Sequence, residues 1–203
     1  MAKKFVILFA ILAVALPIVA HIRNVAPEDS LTVAIFPALG LLAFTLLWLH
    51  SISGAFEKQL RERFKPAPYD PEGIRSGFDA FVHWTSITIL ISMLLHPLLL
   101  LIIIKFNFSM LFMGGWPIRL GIIGLILLLT YDIAKPFKKS DFFARHWNTV
   151  LIVSTIGFIL IFFHSLKLGS DLQIGFMHYL WLFYGTTGIL ATIYTYGIKR
   201  FLK

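Results

Sequence analysis

Six apolar runs, each long enough to cross a lipid bilayer, constrain the fold of this chain more than any other feature of its sequence. A transmembrane helix needs roughly 20 predominantly apolar residues. The runs cover residues 5–20, 31–51, 80–104, 116–134, 147–166 and 176–198. Because backbone polar groups must be satisfied inside the bilayer, each run is expected to be an α-helix. The sequence therefore predicts an all-α integral membrane protein, a single domain over residues 1–203 that forms a bundle of six transmembrane helices.

The composition belongs to the same class of protein. Of the 203 residues, 58% are hydrophobic and 14% are charged, whereas soluble domains have about 45–50% apolar and about 25% charged residues. Cysteine is absent, which excludes disulfides, thiolate metal sites, iron–sulfur clusters and thioether-linked haem. The first run follows two lysines and also has the pattern of a signal peptide. The sequence leaves open whether this run is retained or cleaved.

The basic residues predict how the helices are oriented. Of the 18 Lys and Arg residues, all but Arg23, Lys105, Arg119 and Lys167 fall before the first run, after the sixth, or in the connections that follow the second and fourth. By the positive-inside rule, both termini are predicted to be cytoplasmic, in a prokaryotic plasma membrane. The net charge of +8 then reflects topology, and no nucleic-acid partner is expected. Residues 65–73, "KPAPYDPEG", are typical of a turn-rich cytoplasmic loop.

Two histidines lie inside the apolar runs. His96 follows "LISMLL" in the third run, and His164 follows "IGFILIFF" in the fifth. In the predicted topology these two helices run in the same direction and bring both imidazoles into the outer leaflet at similar depth. Polar side chains are costly at such positions and usually have a function. The alternative for each imidazole is a structural hydrogen bond to a neighbouring helix.

A pair of matched histidines favours a haem over a bare metal ion. A bare ion usually recruits three or four ligands, and the outer leaflet offers no acidic residue. Haem iron needs two axial ligands, because the porphyrin supplies the other four nitrogens. Three glycines leave space on helix surfaces against which a flat macrocycle could pack: Gly157, Gly185 and Gly188. Small residues also serve helix packing. We therefore predict one haem b with His96 and His164 as the axial ligands of its iron.

Two further residues are candidates for contacts in the haem pocket. His178, at the start of the sixth run, is an alternative ligand or a partner for a haem propionate. Arg119, at the outer start of the fourth run, is another candidate partner for a propionate. The alternative for Arg119 is that its side chain extends to the membrane interface. Three of the remaining histidines lie at the cytoplasmic ends of the predicted helices, where water can solvate them: His50, His83 and His146. His21 lies near the outer boundary.

These residues resemble a family. "HWTSITILISMLLHPLLLL" (83–101) and "RHWNTVLIVSTIGFILIFFHS" (145–165) are similar to the third and fifth helices of a membrane domain with six helices. Ferric reductases, NADPH oxidases and the MsrQ-type haem subunit of bacterial methionine sulfoxide reductases share this domain. "LGSDLQ" (168–173) resembles the loop after the fifth helix in the bacterial members. In this family the third and fifth helices carry the haem ligands, so the resemblance implies the same role for His96 and His164.

The resemblance also implies a single haem. Members with two haems carry a second, inner histidine about four helical turns before each outer one. The corresponding positions here are Val82 and Leu151, which cannot coordinate iron. The alternative is an inner pair formed by His83 and His146. Thirteen residues separate His83 from His96, which turns the two side chains about 140° apart around a helix.

The function implied by the resemblance is that of a membrane b-type cytochrome, the electron-transferring component of an oxidoreductase. Ferric reductases and oxidases continue into flavin- and nicotinamide-binding domains, whereas this sequence ends at Lys203. The expected donor is therefore a separate cytoplasmic reductase or membrane quinol, with a bound flavin as a further candidate carrier and an extracytoplasmic acceptor. The alternative class is a non-redox membrane protein, such as a small transporter or an assembly factor, whose histidines bind protons or form hydrogen bonds.

Overall fold

A computed structural model of the chain describes residues 2–26, 30–64 and 77–199. These residues form helices and turns, and no strand occurs among them. The predicted loop 65–73 lies outside the described residues, as do Arg75, Arg200 and Lys203, which contribute to the predicted orientation.

Eight α-helices follow one another in the described residues. They are α1 (Ala2–Asn24), α2 (Leu31–Ala55), α3 (Glu57–Arg63), α4 (Gly77–Ile103), α5 (Phe108–Met113), α6 (Gly115–Ala134), α7 (Asp141–Leu168) and α8 (Gly175–Ile193). A π-helical turn, Tyr194–Ile198, continues α8. Each of the six predicted runs coincides with one long helix, because a continuous apolar stretch can satisfy its backbone in lipid only as a helix. The short helices α3 and α5 are additional to the prediction.

Five of these helices are long and apolar enough to cross a membrane. The segments are Lys3–Asn24, Ala34–Ala55, Gly77–Ile103, Gly115–Phe137 and Asp141–Leu168. Large apolar side chains are exposed along them, as expected of surfaces that face lipid. These helices indicate a multi-pass membrane protein. The helix α8, which contains glycine, threonine, tyrosine and histidine residues, is not among these five, so a sixth span stays a prediction.

The chain divides into two compact units, Met1–Leu100 and Leu101–Lys203. In the first unit, α1 packs on α2. Trp48 of α2 is 2% exposed, and its ring centroid lies 6.1 Å from that of Phe9 on α1. At the other end of α1, Nε2 of the buried His21 donates a hydrogen bond to the Ala34 carbonyl at 2.8 Å. This packing gives His21 a structural role that the sequence does not predict.

In the second unit, α6 and α7 cross closely at two glycines. A Cβ atom added to Gly157 would lie 2.8 Å from the Gly124 carbonyl oxygen and 2.8 Å from the Leu128 nitrogen. Only a residue without a side chain permits this approach of two helix backbones. The expectation that a macrocycle lies against Gly157 is therefore wrong, because the backbone of α6 occupies that face.

The third helix of the second unit, α8, packs on α7 in a similar way. A Cβ atom added to Gly185 would lie 2.0 Å from the Phe162 ring, so this glycine receives an aromatic side chain of α7 and not a macrocycle. The completely buried Trp181 donates a hydrogen bond from Nε1 to the Ser165 hydroxyl at 2.7 Å. Ser165 directly follows His164, so this bond fixes the histidine-bearing end of α7.

We expect Gly157→Ala to lower the thermal stability of the purified protein, because its methyl group would push α6 and α7 apart. Overpacking of a well-packed contact typically costs about 1–3 kcal/mol. Gly197→Ala is the matched control, since nothing lies within 4 Å of a Cβ atom added at Gly197. Melting temperatures measured in detergent should fall for the first variant only, and equal temperatures for both would contradict this packing.

Candidate functional site

His96 lies near the end of α4 and reaches across to the start of α2. Its Nδ1 lies 2.8 Å from the Phe36 carbonyl oxygen, 60 residues away in sequence. The His96 imidazole also stacks on the Phe36 ring, with the ring centroids 4.3 Å apart and an angle of 9° between the planes. One residue of α2 therefore fixes both the position and the plane of this imidazole.

His164 has the same arrangement within the second unit. It lies near the end of α7, and its Nδ1 lies 2.8 Å from the Pro117 carbonyl oxygen at the start of α6, 47 residues away in sequence. Both histidines are half-buried. In each unit, a histidine near the end of one long helix is thus bound to a backbone carbonyl near the start of an earlier one.

The carbonyl partners determine the tautomer of each imidazole. A carbonyl oxygen only accepts, so the proton of the hydrogen bond is on Nδ1. In the neutral imidazole the lone pair is then on Nε2, the nitrogen with which such a histidine would coordinate a metal. An Nδ1–H bond to a backbone carbonyl is a common support for metal-binding histidines, because it fixes the ring and raises its basicity.

A glycine makes room for each imidazole. Gly40 follows Phe36 by four residues, and Gly121 follows Pro117 by four residues, so each glycine lies one helical turn beyond the accepting carbonyl. A Cβ atom added to Gly40 would lie 2.9 Å from His96 Cε1. One added to Gly121 would lie 2.5 Å from both Cε1 and Nδ1 of His164. A side chain at either glycine would displace the ring from its carbonyl.

The two arrangements share a sequence signal that the prediction did not use. In α2 the segment is "FPALG" (36–40), and in α6 it is "WPIRLG" (116–121). Each has an aromatic residue, a proline directly after it, and a glycine three or four residues beyond the proline. The residues missed by sequence reasoning are Phe36, Gly40, Pro117 and Gly121, because their role depends on which helices pack together.

The two secondary candidates have different surroundings. His178 is half-buried at the start of α8, and its Nδ1 lies 2.7 Å from the Leu172 carbonyl oxygen in the turn before that helix. Arg119 is exposed on α6 and has no hydrogen bond or ion pair to any described residue. Within the described part of the chain, neither side chain bonds to His164, so their roles in a haem pocket stay predictions.

The two inner positions, where family members with two haems carry histidines, hold half-buried apolar side chains. These are Val82 and Leu151. His83 is exposed, with its ring edge against Trp84. His146 is also exposed, and its Nδ1 lies 2.9 Å from the Phe142 carbonyl of its own helix. Among the described residues, neither of these histidines reaches a carbonyl of another helix, which distinguishes both from His96 and His164.

His50 is a structural histidine. Its Nε2 donates a hydrogen bond to the Thr85 hydroxyl, which in turn donates to the Phe81 carbonyl. The bond joins α2 to α4. Across residues 2–26, 30–64 and 77–199, no group of three or more His, Cys, Asp or Glu side chains is arranged to hold a metal ion. The described residues therefore contain no site at which three or more of these side chains could bind a bare ion together.

Comparison of the chain with models of protein families, with curated proteins and with solved structures found no match. The resemblance of segments 83–101 and 145–165 to the ferric reductase-like membrane domain therefore stays a prediction. What the chain does has to be argued from its own residues.

Proposed function

We propose that this chain is a membrane b-type cytochrome in which His96 and His164 are the axial ligands of one haem. The observation that carries the proposal is the shared support of the two imidazoles. Each donates Nδ1–H to a backbone carbonyl of another helix, and each ring lies against a glycine one turn beyond that carbonyl.

The residues present fit a haem. Bound haem supplies one-electron oxidation and reduction at its iron. The Phe36 carbonyl fixes the His96 ring, and the Pro117 carbonyl fixes the His164 ring. Each carbonyl keeps the proton on Nδ1, which leaves Nε2 as the atom that would bind iron. The apolar residues that surround both histidines on α4 and α7 keep water away and lower the local dielectric constant. No residue is proposed as an acid, a base or a nucleophile.

The wider proposal is a ferric reductase-like or MsrQ-like electron-transfer system. The chain would accept electrons from a cytoplasmic reductase or from membrane quinol and deliver them to an extracytoplasmic acceptor. The Lys and Arg residues concentrated on the predicted cytoplasmic side would attract an acidic reductase. His178 and Arg119 are proposed as contacts of the haem propionates.

A non-redox function is the second candidate, because the same two hydrogen bonds would also clamp helices together without any cofactor. In that case His96 and His164 would resemble His50, which joins α2 to α4 through Thr85. The absorption spectrum of the purified protein distinguishes the candidates. A b-type cytochrome shows Soret and α bands. A protein whose histidines serve only its structure binds no haem and shows neither band.

We expect a pyridine haemochrome assay to give one haem per chain, since the inner positions hold Val82 and Leu151. His83→Ala should keep the full haem content, because the His83 side chain is exposed and its ring edge lies against Trp84. Two haems per chain, with one lost in His83→Ala, would contradict the proposal of a single haem.

We also propose six membrane spans with both termini cytoplasmic, with α8 and its π-helical turn as the sixth. Reporter fusions in the turn 169–174 and after residue 199 should therefore give opposite locations, because α8 lies between them. The concentration of basic residues predicts that the second fusion is cytoplasmic. Two fusions on the same side would mean that α8 does not cross the membrane.

A further inference from the structure

A large cavity in the first unit runs along α1 and has a volume of about 1480 Å³. Its walls come from α1, the second half of α2, α3 and the start of α4. Pockets that hold drug-sized ligands measure roughly 300–1,000 Å³. A ligand that fills this cavity is therefore larger than a typical small molecule.

The cavity is long enough to hold a lipid chain. Its lining on α1 extends from Lys3 to Val19, which is about 24 Å at roughly 1.5 Å per residue. The hydrocarbon core of a bilayer is about 30 Å thick, so the acyl chains of one leaflet extend over about 15 Å. Apart from its polar end, the wall is mostly aliphatic and aromatic side chains, for example Phe9, Val14 and Leu49. The shape fits an extended apolar chain that lies parallel to α1.

The charged groups of the cavity gather at one end, and all of them are cationic. Among the described lining residues, Lys3 and Arg63 are the only charged ones. Lys3 Nζ lies 5.4 Å from the centroid of the Phe64 ring, and Phe64 directly follows Arg63 in the sequence, so both cations belong to the end of the cavity next to α3. Gln59 of α3 adds a side-chain amide to the lining near this end.

The neighbouring acidic residues do not neutralise these two cations. Glu57 and Asp79 both pair with Arg61, at 2.9 and 2.6 Å. Within the described part of the chain, no carboxylate lies within 4.0 Å of the charged groups of Lys3 or Arg63. Among the described residues, the polar end of the cavity therefore presents two cations with no carboxylate at ion-pair distance, a charge pattern that is complementary to an anion.

We propose that this cavity binds one anionic phospholipid, with its phosphate between Lys3 and Arg63 and an acyl chain along α1. The site is distinct from the histidine supports on α2 and α4, and the proposal does not rest on haem binding. Basic residues near an anionic lipid surface contribute several-fold each to binding. The lipid would complete the packing of α1, whose described contacts are chiefly with α2.

The test is native mass spectrometry of the full chain in detergent, titrated with phosphatidylglycerol and with phosphatidylcholine of identical acyl chains. We expect phosphatidylglycerol to bind about tenfold more tightly, as two basic residues near an anionic headgroup suggest. The double variant K3Q/R63Q should lose this preference. The double variant K3R/R63K retains both charges and should keep it, which separates loss of charge from loss of fold.

The matched control is K138Q/K139Q, which removes two exposed cations of the second unit and changes the net charge equally. This variant should keep the preference for phosphatidylglycerol. Equal binding of the two phospholipids to the unaltered chain would mean that ordinary bulk lipid fills the cavity, and this result would overturn the proposal. Oleate binding as tightly as phosphatidylglycerol would overturn it in favour of a free fatty acid, and an equal loss in K138Q/K139Q would show an unspecific charge effect.

Discussion

His96→Ala and His164→Ala should each remove most of the haem from the purified protein. Each variant deletes one of only two protein ligands proposed for the iron, and the loss should exceed the roughly 10–100-fold in metal affinity that follows from removing a supporting hydrogen bond. The measurement is the Soret absorbance per mole of protein. Full retention of haem in both variants would rule out these residues as ligands.

Two comparisons separate loss of a ligand from loss of structure. His146→Ala is the matched control, because His146 is exposed and its described hydrogen bond is to the Phe142 carbonyl of its own helix. The haem content of this variant should not change. His164→Gly, supplied with imidazole in the buffer, should regain a low-spin haem spectrum, because free imidazole can occupy the vacated ligand position. A structural histidine would give no such rescue.

Gly121→Ala should weaken haem binding by about 10–100-fold, as loss of a hydrogen bond that supports a metal ligand typically does. The added methyl group would lie 2.5 Å from His164 Nδ1 and would force the imidazole away from the Pro117 carbonyl. Gly40→Ala should have the same effect to a smaller extent, because its methyl group would lie 2.9 Å from the nearest atom of His96.

The haem that remains in Gly121→Ala should have a higher midpoint potential. An imidazole that no longer donates Nδ1–H to a carbonyl is a weaker electron donor and stabilises the ferric state less. Gly197→Ala serves as the control, since its methyl group would meet nothing within 4 Å. An unchanged potential and unchanged haem content in Gly121→Ala would mean that the Pro117 carbonyl does not support a ligand.

The long helices could be predicted from the sequence because their cause is local. An apolar run of about 20 residues has few alternatives to a helix in lipid, and every predicted run corresponds to one in the structure. The short helix α3 was missed because "EKQLRER" (57–63) is polar and lacks an apolar face. Its position next to the start of α1 matters, since it supplies Arg63 to the cavity.

The supports of the histidines could not be predicted because their cause is not local. The bond from His164 to Pro117 spans 47 residues, and it exists only because α6 and α7 cross closely at Gly124 and Gly157. The sequence identifies the imidazole but not its carbonyl. For the same reason, the sequence suggests a macrocycle at Gly157, whereas this glycine serves the helix crossing.

The surroundings of His21 also have a cause that is not local. The sequence places this histidine only near the outer boundary of the first apolar run, whereas the structure buries it and bonds it to the Ala34 carbonyl of α2. Its proton is on Nε2, the nitrogen opposite to the one that donates in His96 and His164. An apolar segment alone does not reveal whether a neighbouring helix covers its end.

The most direct test of the central proposal is near-infrared magnetic circular dichroism of the oxidised, purified protein, because the charge-transfer band of low-spin ferric haem reports its two axial ligands. With His96 and His164 as ligands, the band should be that of bis-histidine coordination, and it should disappear in His96→Ala and in His164→Ala. A histidine–methionine or high-spin spectrum in the unaltered chain, or a protein that binds no haem at all, would contradict the proposal.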